Sequence, residues 1–232
     1  HEGVDYLAVA FADEGVTLRR KGITMPIVVL NADSDSFELM TAFRLEPEIY
    51  NFTSLEAFVA AVNAAGESAY PIHIKIDSGM HRLGFRMDDV EKLNAALARY
   101  SQAVRVRSIF SHLATADMPE EEEFTRNQIA VFDRISSAVA ASLPYRPLRH
   151  INNSAAMELF PQSDYDMCRL GIGLYGAGSD AVRPISRLTT RIVQIKNLPA
   201  GETVGYGRVG IIGHTTTVAT IPIGYADGLD RR

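Results

Sequence analysis

Residues able to do chemistry stand where apolar runs of the chain end. Lys75 lies inside one such run, which ends at Asp77 and leads to Arg82. An ammonium group buried without an anionic partner is very unfavourable. Lys75 therefore indicates either an ion pair with a neighbouring strand or a residue of a functional site, and its spacing leaves both interpretations open.

Two histidines and an arginine occupy comparable positions. His112 ends a second apolar run, His150 lies in a third, and Arg169 lies in a fourth, beside Gly171. Taken singly, each histidine is more typical of a core or supporting residue than of a catalyst. Arg169 indicates contact with an anion or an acceptor, or else a structural ion pair.

Residues 171–176 read Gly-Ile-Gly-Leu-Tyr-Gly and match the pattern G-x-G-x-x-G. We reject a dinucleotide site, because Pro184 stands where the required helix should continue. Glycines let backbone N–H groups approach an anion, and barrels commonly bind phosphate after strands seven and eight. The segment therefore predicts a phosphate site. Ser154 would add a hydroxyl donor or cap a helix, and the two roles are compatible.

Two tyrosines of the tail stand in turns flanked by glycine. Tyr206 lies between Gly205 and Gly207, and Tyr225 follows Gly224. Such glycines let a tyrosine project outward. In isolation, however, such tyrosines are more typical of turn chemistry with a partly buried ring.

Strands are predicted to alternate with amphipathic helices up to about residue 175. The predicted strands are Tyr6–Phe11, Pro26–Asn31, Glu48–Phe52, Pro71–Asp77, Arg105–His112, Pro147–Asn152 and Met167–Tyr175. The predicted helices are Asp13–Lys21, Ser34–Phe43, Ser54–Ala65 with Ser54 as N-cap, Asp88–Tyr100, Phe124–Ser142 and Asn153–Phe160. This order predicts parallel βαβ units. Seven units fit either an α/β barrel of the (β/α)8 TIM type that lacks one strand or a doubly wound open sheet.

The pattern changes after Gly178. Two further strands, Arg187–Leu198 and Thr215–Ile223, are predicted with no helix between them. We interpret this tail as the start of an antiparallel β-domain. The boundary near residues 177–185 divides the chain into a barrel of residues 1–182 and a β-domain of residues 183–232.

Composition excludes several classes of protein. Hydrophobic residues make up 47% and charged residues 22%, which are globular values. The single cysteine, Cys168, excludes an internal disulfide. A net charge of -5 without a basic block argues against nucleic acid as a partner, and no window has the ~18 apolar residues of a membrane span.

Lysine makes up an unusually small share of the basic residues. Only four of the 23 are lysines, namely Lys21, Lys75, Lys92 and Lys196. The chain also begins at His1 without an initiator methionine. We therefore expect a piece of a longer polypeptide.

Six segments, in order along nearly the whole chain, resemble alanine racemase, a fold-type III enzyme dependent on pyridoxal 5'-phosphate (PLP). They are His73–Phe85, Ser111–Asp117, His150–Ala156, Arg169–Gly176, Val204–Arg208 and Ile221–Gly228. The resemblance implies a PLP-binding barrel followed by a β-domain, in a homodimer.

The resemblance also implies roles for individual residues. Tyr206 matches the catalytic tyrosine, which acts at the barrel of the partner subunit. Arg169 matches the arginine facing the pyridine nitrogen of PLP and keeping it unprotonated. His150 matches the histidine that supports this arginine, and His112 the one that packs on the cofactor ring. Ser154, Gly171 and Ile172 match the positions that contact the PLP phosphate, and Asn153 is a further position implied to bind the cofactor.

Three further positions follow from the same resemblance. Arg82 matches an arginine near the cofactor phenolate and the substrate carboxylate. Lys75 matches a lysine that is often carbamylated in this family, which would turn it into an anion paired with Arg82. Tyr225 matches a tyrosine at the entrance of the site.

The chain departs from the family at one essential position. The Schiff-base lysine of the family lies at the end of the first strand, in a motif like Lys-Ala-Asn-Ala-Tyr-Gly-His-Gly, and none of the four lysines here has that context. We therefore expect the middle of the enzyme, with the barrel missing its first strand. The chain alone should be inactive, and its unpaired sheet edges should favour oligomerisation or a complementing fragment.

The expected activity of the parent protein is interconversion of L-alanine and D-alanine by two-base proton transfer. D-alanine would supply cell-wall peptidoglycan in a bacterial cytoplasm, with which a single cysteine agrees. Two alternatives stay open: a related PLP racemase acting on serine or on several amino acids, and a PLP-barrel module without catalytic activity.

Overall fold

The computed structural model describes residues 3–178 and 181–230. The chain divides into two compact units, His1–Arg183 and Pro184–Arg232. The predicted boundary region includes Ser179 and Asp180, which lie outside the described residues.

The first unit is built on a parallel sheet of six strands whose spatial order follows the chain. The strands are β1 (Leu7–Val9), β2 (Ile27–Val29), β3 (Glu46–Ile49), β4 (Tyr70–Lys75), β5 (Val104–Phe110) and β6 (Leu148–His150). The helices are α1 (Ala12–Arg20), α2 (Phe37–Ala42), α3 (Phe52–Ala64), α4 (Val90–Arg99), α5 (Glu122–Ala141) and α6 (Ser154–Leu159). This confirms the predicted parallel α/β fold.

The sheet is curled into part of a barrel. Tyr6, which directly precedes β1, accepts a hydrogen bond from Arg107 Nε on β5 at 2.7 Å, although three strands lie between them in the sheet. Within the described part of the chain, β1 pairs only with β2 and β6 only with β5. The barrel therefore has a gap between these two edges, as the prediction of a missing strand requires.

The prediction of a seventh strand at Met167–Tyr175 is wrong. Ile172–Tyr175 forms a 3-10 helix that ends at Gly176, whose φ of 73° lies in the left-handed region. The backbone N–H of Arg169 donates to the Asn152 carbonyl, and that of Gly171 donates to Ser154 Oγ. These bonds replace a strand ladder. Apolar residues alternate with glycines here, which imitates a strand in the sequence although glycine disfavours one.

Helix α3 begins two residues earlier than predicted, and Ser54 is not its N-cap. Asn51 is the N-cap, and its Oδ1 accepts from the Ser54 backbone N–H at 2.7 Å. Ser54 instead donates its hydroxyl back to the Asn51 carbonyl at 2.9 Å. The two side chains thus satisfy backbone groups that the first turn of a helix leaves open.

Two layers of side chains fill the unit. Between the sheet and the helices lie fully buried apolar residues such as Ile49, Phe58, Ile72 and Ile74. The opposite face of the sheet carries polar and charged residues at alternate positions of the strands, as the two-residue period of a strand requires. This inner face is formed by Glu46 and Glu48 of β3, His73 and Lys75 of β4, Ser108 and Phe110 of β5, and His150 of β6.

The second unit consists of antiparallel strand pairs, as predicted. Strand β7 (Gln194–Leu198) pairs with β10 (Thr216–Thr220), and β8 (Thr203–Val204) pairs with β9 (Gly210–Ile211). Both predicted strands of the tail are longer than those observed, because the ladder ends where Val193 donates to the Thr220 carbonyl.

The acidic run at residues 120–123 spans a 3-10 turn (Pro119–Glu121) and the start of α5. Negative charge is stabilised at the start of a helix by the helix dipole. Across residues 3–178 and 181–230, no cluster of His, Cys, Asp or Glu is arranged to hold a metal ion. No helix in these same ranges is both long and apolar enough to cross a membrane.

Candidate active site

A cavity of about 770 Å³ opens at the carboxyl ends of the parallel strands. This end of a barrel is where the loops that follow the strands converge, and it is where barrel enzymes have their active sites. Eight of the residues singled out in the sequence line this cavity: Lys75, Arg82, His112, Asn153, Ser154, Arg169, Gly171 and Ile172.

Arg169 is held in the wall of the cavity by hydrogen bonds to surrounding groups. Its Nη1 donates to His150 Nδ1 at 2.7 Å. Its Nη2 lies 2.6 Å from the Ser111 carbonyl oxygen, 3.0 Å from the Ile151 carbonyl oxygen and 3.1 Å from His112 Nδ1. Burial lowers the pKa of Arg169 to about 10, so the guanidinium stays charged at neutral pH.

Both histidines beside Arg169 are neutral at pH 7. Burial, followed by the charge of Arg169, lowers the pKa of His112 to about 4 and holds the pKa of His150 well below its usual value. A neutral imidazole has one nitrogen that accepts a hydrogen bond, so His150 and His112 can each accept from the guanidinium through Nδ1. The His150 ring also stacks on Phe110, with centroids 4.9 Å apart and planes 7° from parallel.

Lys75 has the anionic partner that its position requires. Its Nζ lies 3.3 Å from Glu48 Oε1 and 4.4 Å from the centroid of the Phe110 ring. Burial lowers the pKa of Lys75 to about 8, against the attraction of Glu48, and burial raises the pKa of the Glu48 carboxyl group. The other oxygen, Glu48 Oε2, is buried and has no hydrogen-bond partner among the described residues.

Glu48 is the cavity residue that sequence reasoning missed. The available signal was the two-residue spacing of Glu46 and Glu48, which places two carboxylates on one face of a strand. We predicted that this strand begins at Glu48, whereas β3 begins at Glu46.

Ser154 joins α6 to the glycine segment at the rim of the cavity. Its Oγ accepts hydrogen bonds from the backbone N–H groups of Gly171 and Gly173, at 3.0 and 3.2 Å. The N-cap of α6 is Asn153, whose Oδ1 accepts from the Ala156 N–H, so the N-cap role considered for Ser154 is wrong. A β-carbon placed on Gly171 would meet no atom within 4 Å, so space is open at this point of the rim.

Arg82 reaches the cavity from a tight loop after β4. Asp77 Oδ1 accepts from the backbone N–H groups of Gly79 and His81, and the loop returns so that Asp77 donates to the Phe85 carbonyl. A β-carbon on Gly84 would lie 2.5 Å from Asp77 N, and the φ of this residue is 125°. Only glycine fits here, and this close approach positions Arg82 at the mouth of the cavity.

The two tail tyrosines lie in the second unit. Tyr206 begins a 3-10 turn between two glycines with positive φ, and it is 89% exposed. Tyr225 begins another short turn, in which Asp227 Oδ2 accepts from the Gly224 N–H, and it is 65% exposed. Both tyrosines project outward.

Similarity to known proteins agrees with this arrangement. Residues 1–179 match the family "Alanine racemase, N-terminal domain", and residues 185–232 match "Alanine racemase, C-terminal domain". The alanine racemase of Cutibacterium acnes is 36% identical over 238 residues, which cover 100% of this chain and 63% of that protein.

Solved structures give the same result. The alanine racemase of Streptomyces coelicolor has a TM-score of 0.89 at 28% identity, covering 99% of this chain and 64% of that one. The alanine racemase of Clostridium difficile has a TM-score of 0.87 at 32% identity, with coverages of 99% and 62%. The chain thus spans somewhat less than two thirds of the length of these relatives. With family matches over nearly its whole length, the chain belongs to the alanine racemase family.

Proposed function

We propose that the protein acts as a PLP-dependent alanine racemase, which interconverts L-alanine and D-alanine. The observation that carries this proposal is the position of Arg169. It is a charged guanidinium in the wall of a strand-end cavity, flanked by two neutral histidines, with the Ser154–Gly171 rim beside it.

The residues present fit PLP. A cavity of about 770 Å³ is within the size range of sites for cofactors and small molecules. The hydroxyl hydrogen of Ser154 is free to donate to a phosphate, because its Oγ is the acceptor in both bonds to the glycine segment. Asn153, Gly171 and Ile172 would complete the phosphate site, and His112 would pack on the ring.

Arg169 would face the pyridine nitrogen. Because its pKa of about 10 keeps the proton on the guanidinium at neutral pH, Arg169 would leave that nitrogen unprotonated. His150 would support Arg169 from behind. When bound, PLP supplies an electron sink for the α-carbon of an amino acid, and an unprotonated ring is a weaker sink that suits simple proton exchange.

Tyr206 would move the proton on one face of the α-carbon, at the barrel of a partner subunit. Its exposure agrees with a role toward another chain, since a base must come within hydrogen-bond reach of the proton that it takes. Arg82 would bind the carboxylate of the substrate, Lys75 would support Arg82 as a carbamate, and Tyr225 would line the entrance.

We also propose the wider setting. Residues 1–182 would form the cofactor barrel and residues 183–232 the start of the β-domain, in a cytoplasmic homodimer that supplies D-alanine for peptidoglycan. The division of the chain at residues 183 and 184 and the bacterial origin of the relatives support this proposal.

A chimera would test the proposed activity. Residues 1–232 would replace the matching stretch of the Cutibacterium acnes enzyme, so that the relative supplies its own flanking segments. We expect the purified chimera to bind PLP and to racemise alanine. Tyr206→Phe should lower the rate by about 100-fold or more, as expected for loss of a general base, whereas Tyr100→Phe should leave the rate unchanged.

The same experiment separates the alternatives. A folded chimera that binds PLP and racemises serine in preference to alanine would assign a different substrate. A folded chimera that binds PLP and racemises no amino acid would overturn the proposal in favour of a non-catalytic module.

A further inference from the structure

Five side chains form a continuous hydrogen-bonded row across the inside of the sheet. Glu46 Oε2 lies 2.7 Å from His73 Nε2, and His73 Nδ1 lies 2.6 Å from Ser108 Oγ. Ser108 Oγ lies 3.0 Å from His150 Nε2, and His150 Nδ1 lies 2.7 Å from Arg169 Nη1. The row joins β3, β4, β5 and β6 to the cavity wall.

Water has almost no access to the middle of this row. His73 and Ser108 are 0% exposed, and His150 is 4% exposed. A buried polar row of this kind is favourable only if every member has a partner, and a donor or acceptor left unpaired there is costly. Each of these side chains therefore has to present the correct group to both of its neighbours.

The two ends of the row determine its direction. A guanidinium has only donors, so Nδ1 of His150 carries no proton. The neutral His150 ring then has its proton on Nε2 and donates it to Ser108 Oγ. The single hydroxyl hydrogen of Ser108 is left for Nδ1 of His73, whose remaining N–H, on Nε2, points to a carboxylate that only accepts.

We infer that Glu46, His73 and Ser108 are positioning residues that lock His150 in the Nε2–H tautomer, so that Nδ1 of His150 always receives Arg169. With the proton on Nδ1, two donors would face each other across 2.7 Å. The row also connects the buried guanidinium to a carboxylate of opposite charge, and it fixes the plane of the guanidinium in the cavity wall.

The row consists only of side chains of this chain. Only the consequence, that the locked arginine serves a PLP ring, rests on the proposed function. The test therefore uses the 232-residue chain without PLP, so that failure of the row and failure of the racemase proposal are distinguishable.

Two-bond ¹H–¹⁵N NMR of the histidine rings gives the tautomers directly. In the wild-type chain we expect the proton on Nε2, and none on Nδ1, in both His73 and His150, assigned with His73→Gln and His150→Gln. A proton on Nδ1 of either ring would overturn the inference. This measurement needs no variant beyond those used for assignment.

Coupling along the row gives a second test, which a merely structural role would not pass. Glu46→Gln should shift the His150 Nε2–H proton signal upfield, although two other side chains separate them. In a Ser108→Ala background the same substitution should leave that signal unmoved, and Ser108→Thr should restore the response. An equal shift in the Ser108→Ala background would refute the relay.

A matched control is available. Ser136 is also fully buried, and its Oγ accepts from Arg149 Nε at 2.9 Å, outside the row. Ser136→Ala should therefore leave the His150 response to Glu46→Gln intact. If Ser136→Ala abolishes the response as Ser108→Ala does, the coupling comes from general loosening of the sheet and the inference is wrong.

Discussion

The ammonium group of Lys75 lies 3.3 Å from the carboxylate of Glu48, and both side chains are in the interior of the sheet. The pair neutralises a lysine that the sequence placed inside an apolar strand. It also leaves Glu48 Oε2 without a partner at the wall of the cavity. The two residues therefore control the charge of the cavity together with Arg82 and Arg169, whose positive charges both act on Glu48.

Removing one member of this pair should destabilise the fold. We expect Glu48→Gln to lower the free energy of unfolding by about 3 kcal/mol, because it leaves a buried charge without its counterion. Urea denaturation measures this change. The double variant Glu48→Leu with Lys75→Met should recover part of the loss, and a double variant less stable than Glu48→Gln would contradict this account.

Carbamylation of Lys75 should depend on pH and on Glu48. Carbon dioxide adds to a neutral amine, with loss of a proton. Because the pKa of Lys75 is about 8, its neutral fraction increases as the pH rises from 7 to 9, and the carbamate signal should grow with it. A ¹³C NMR spectrum in labelled bicarbonate detects it. Glu48→Gln should increase the signal, since a carbamate beside Glu48 places two anions together.

Two lysine variants identify which lysine gives the carbamate signal. Lys75→Arg should abolish it, whereas Lys92→Arg, which changes an exposed lysine of α4, should not. A signal that survives Lys75→Arg would assign the carbamate elsewhere.

The fold should lose stability in mild acid because of its buried neutral histidines. Between pH 6.5 and about 4, an unfolded histidine binds a proton that folded His112 does not, so the free energy of unfolding falls as the pH falls. His112 alone would contribute about 3 kcal/mol across this window. In urea titrations at pH 7, 6 and 5, His112→Gln should flatten the dependence, and His214→Gln, at an exposed position, should not.

PLP should bind in the cavity of the isolated 232-residue chain without forming a covalent bond there. Lys75 is the lysine that lines the cavity, and its amine is engaged by Glu48. Borohydride reduction followed by peptide mapping should therefore find no PLP adduct on Lys75, and the chain should not racemise alanine. A reduced adduct on Lys75 together with racemisation would contradict this prediction.

The gap in the sheet should make the isolated chain associate. A second cavity, of about 430 Å³, is lined by residues 3–8 beside the β1 edge and by His150 and residues 166–170 beside the β6 edge. Unpaired strand edges favour pairing with another chain. Sedimentation should reveal oligomers at micromolar concentration, and a stable monomer would count against this expectation.

Local patterns in the sequence were enough to predict the first six strands and the helices that separate them. The apolar run from Ile27 to Val29 and the amphipathic run of α4 are periodic over neighbouring residues, so no distant partner is needed to recognise them. The same patterns placed Lys75 and His112 near strand ends, and the curled sheet brings these ends together around the cavity. Arg169 also lines the cavity, but from a segment outside the sheet.

Only the tertiary structure decided which residues far apart in the chain come into contact. The segment from Met167 to Tyr175 has the apolar alternation of a strand, yet contacts to Asn152 and Ser154 hold it outside the sheet. Glu48 became the partner of Lys75 because parallel pairing aligned β3 with β4. The direction of the row from Arg169 to Glu46 depends on five side chains converging inside the sheet, and no spacing in the sequence encodes that convergence.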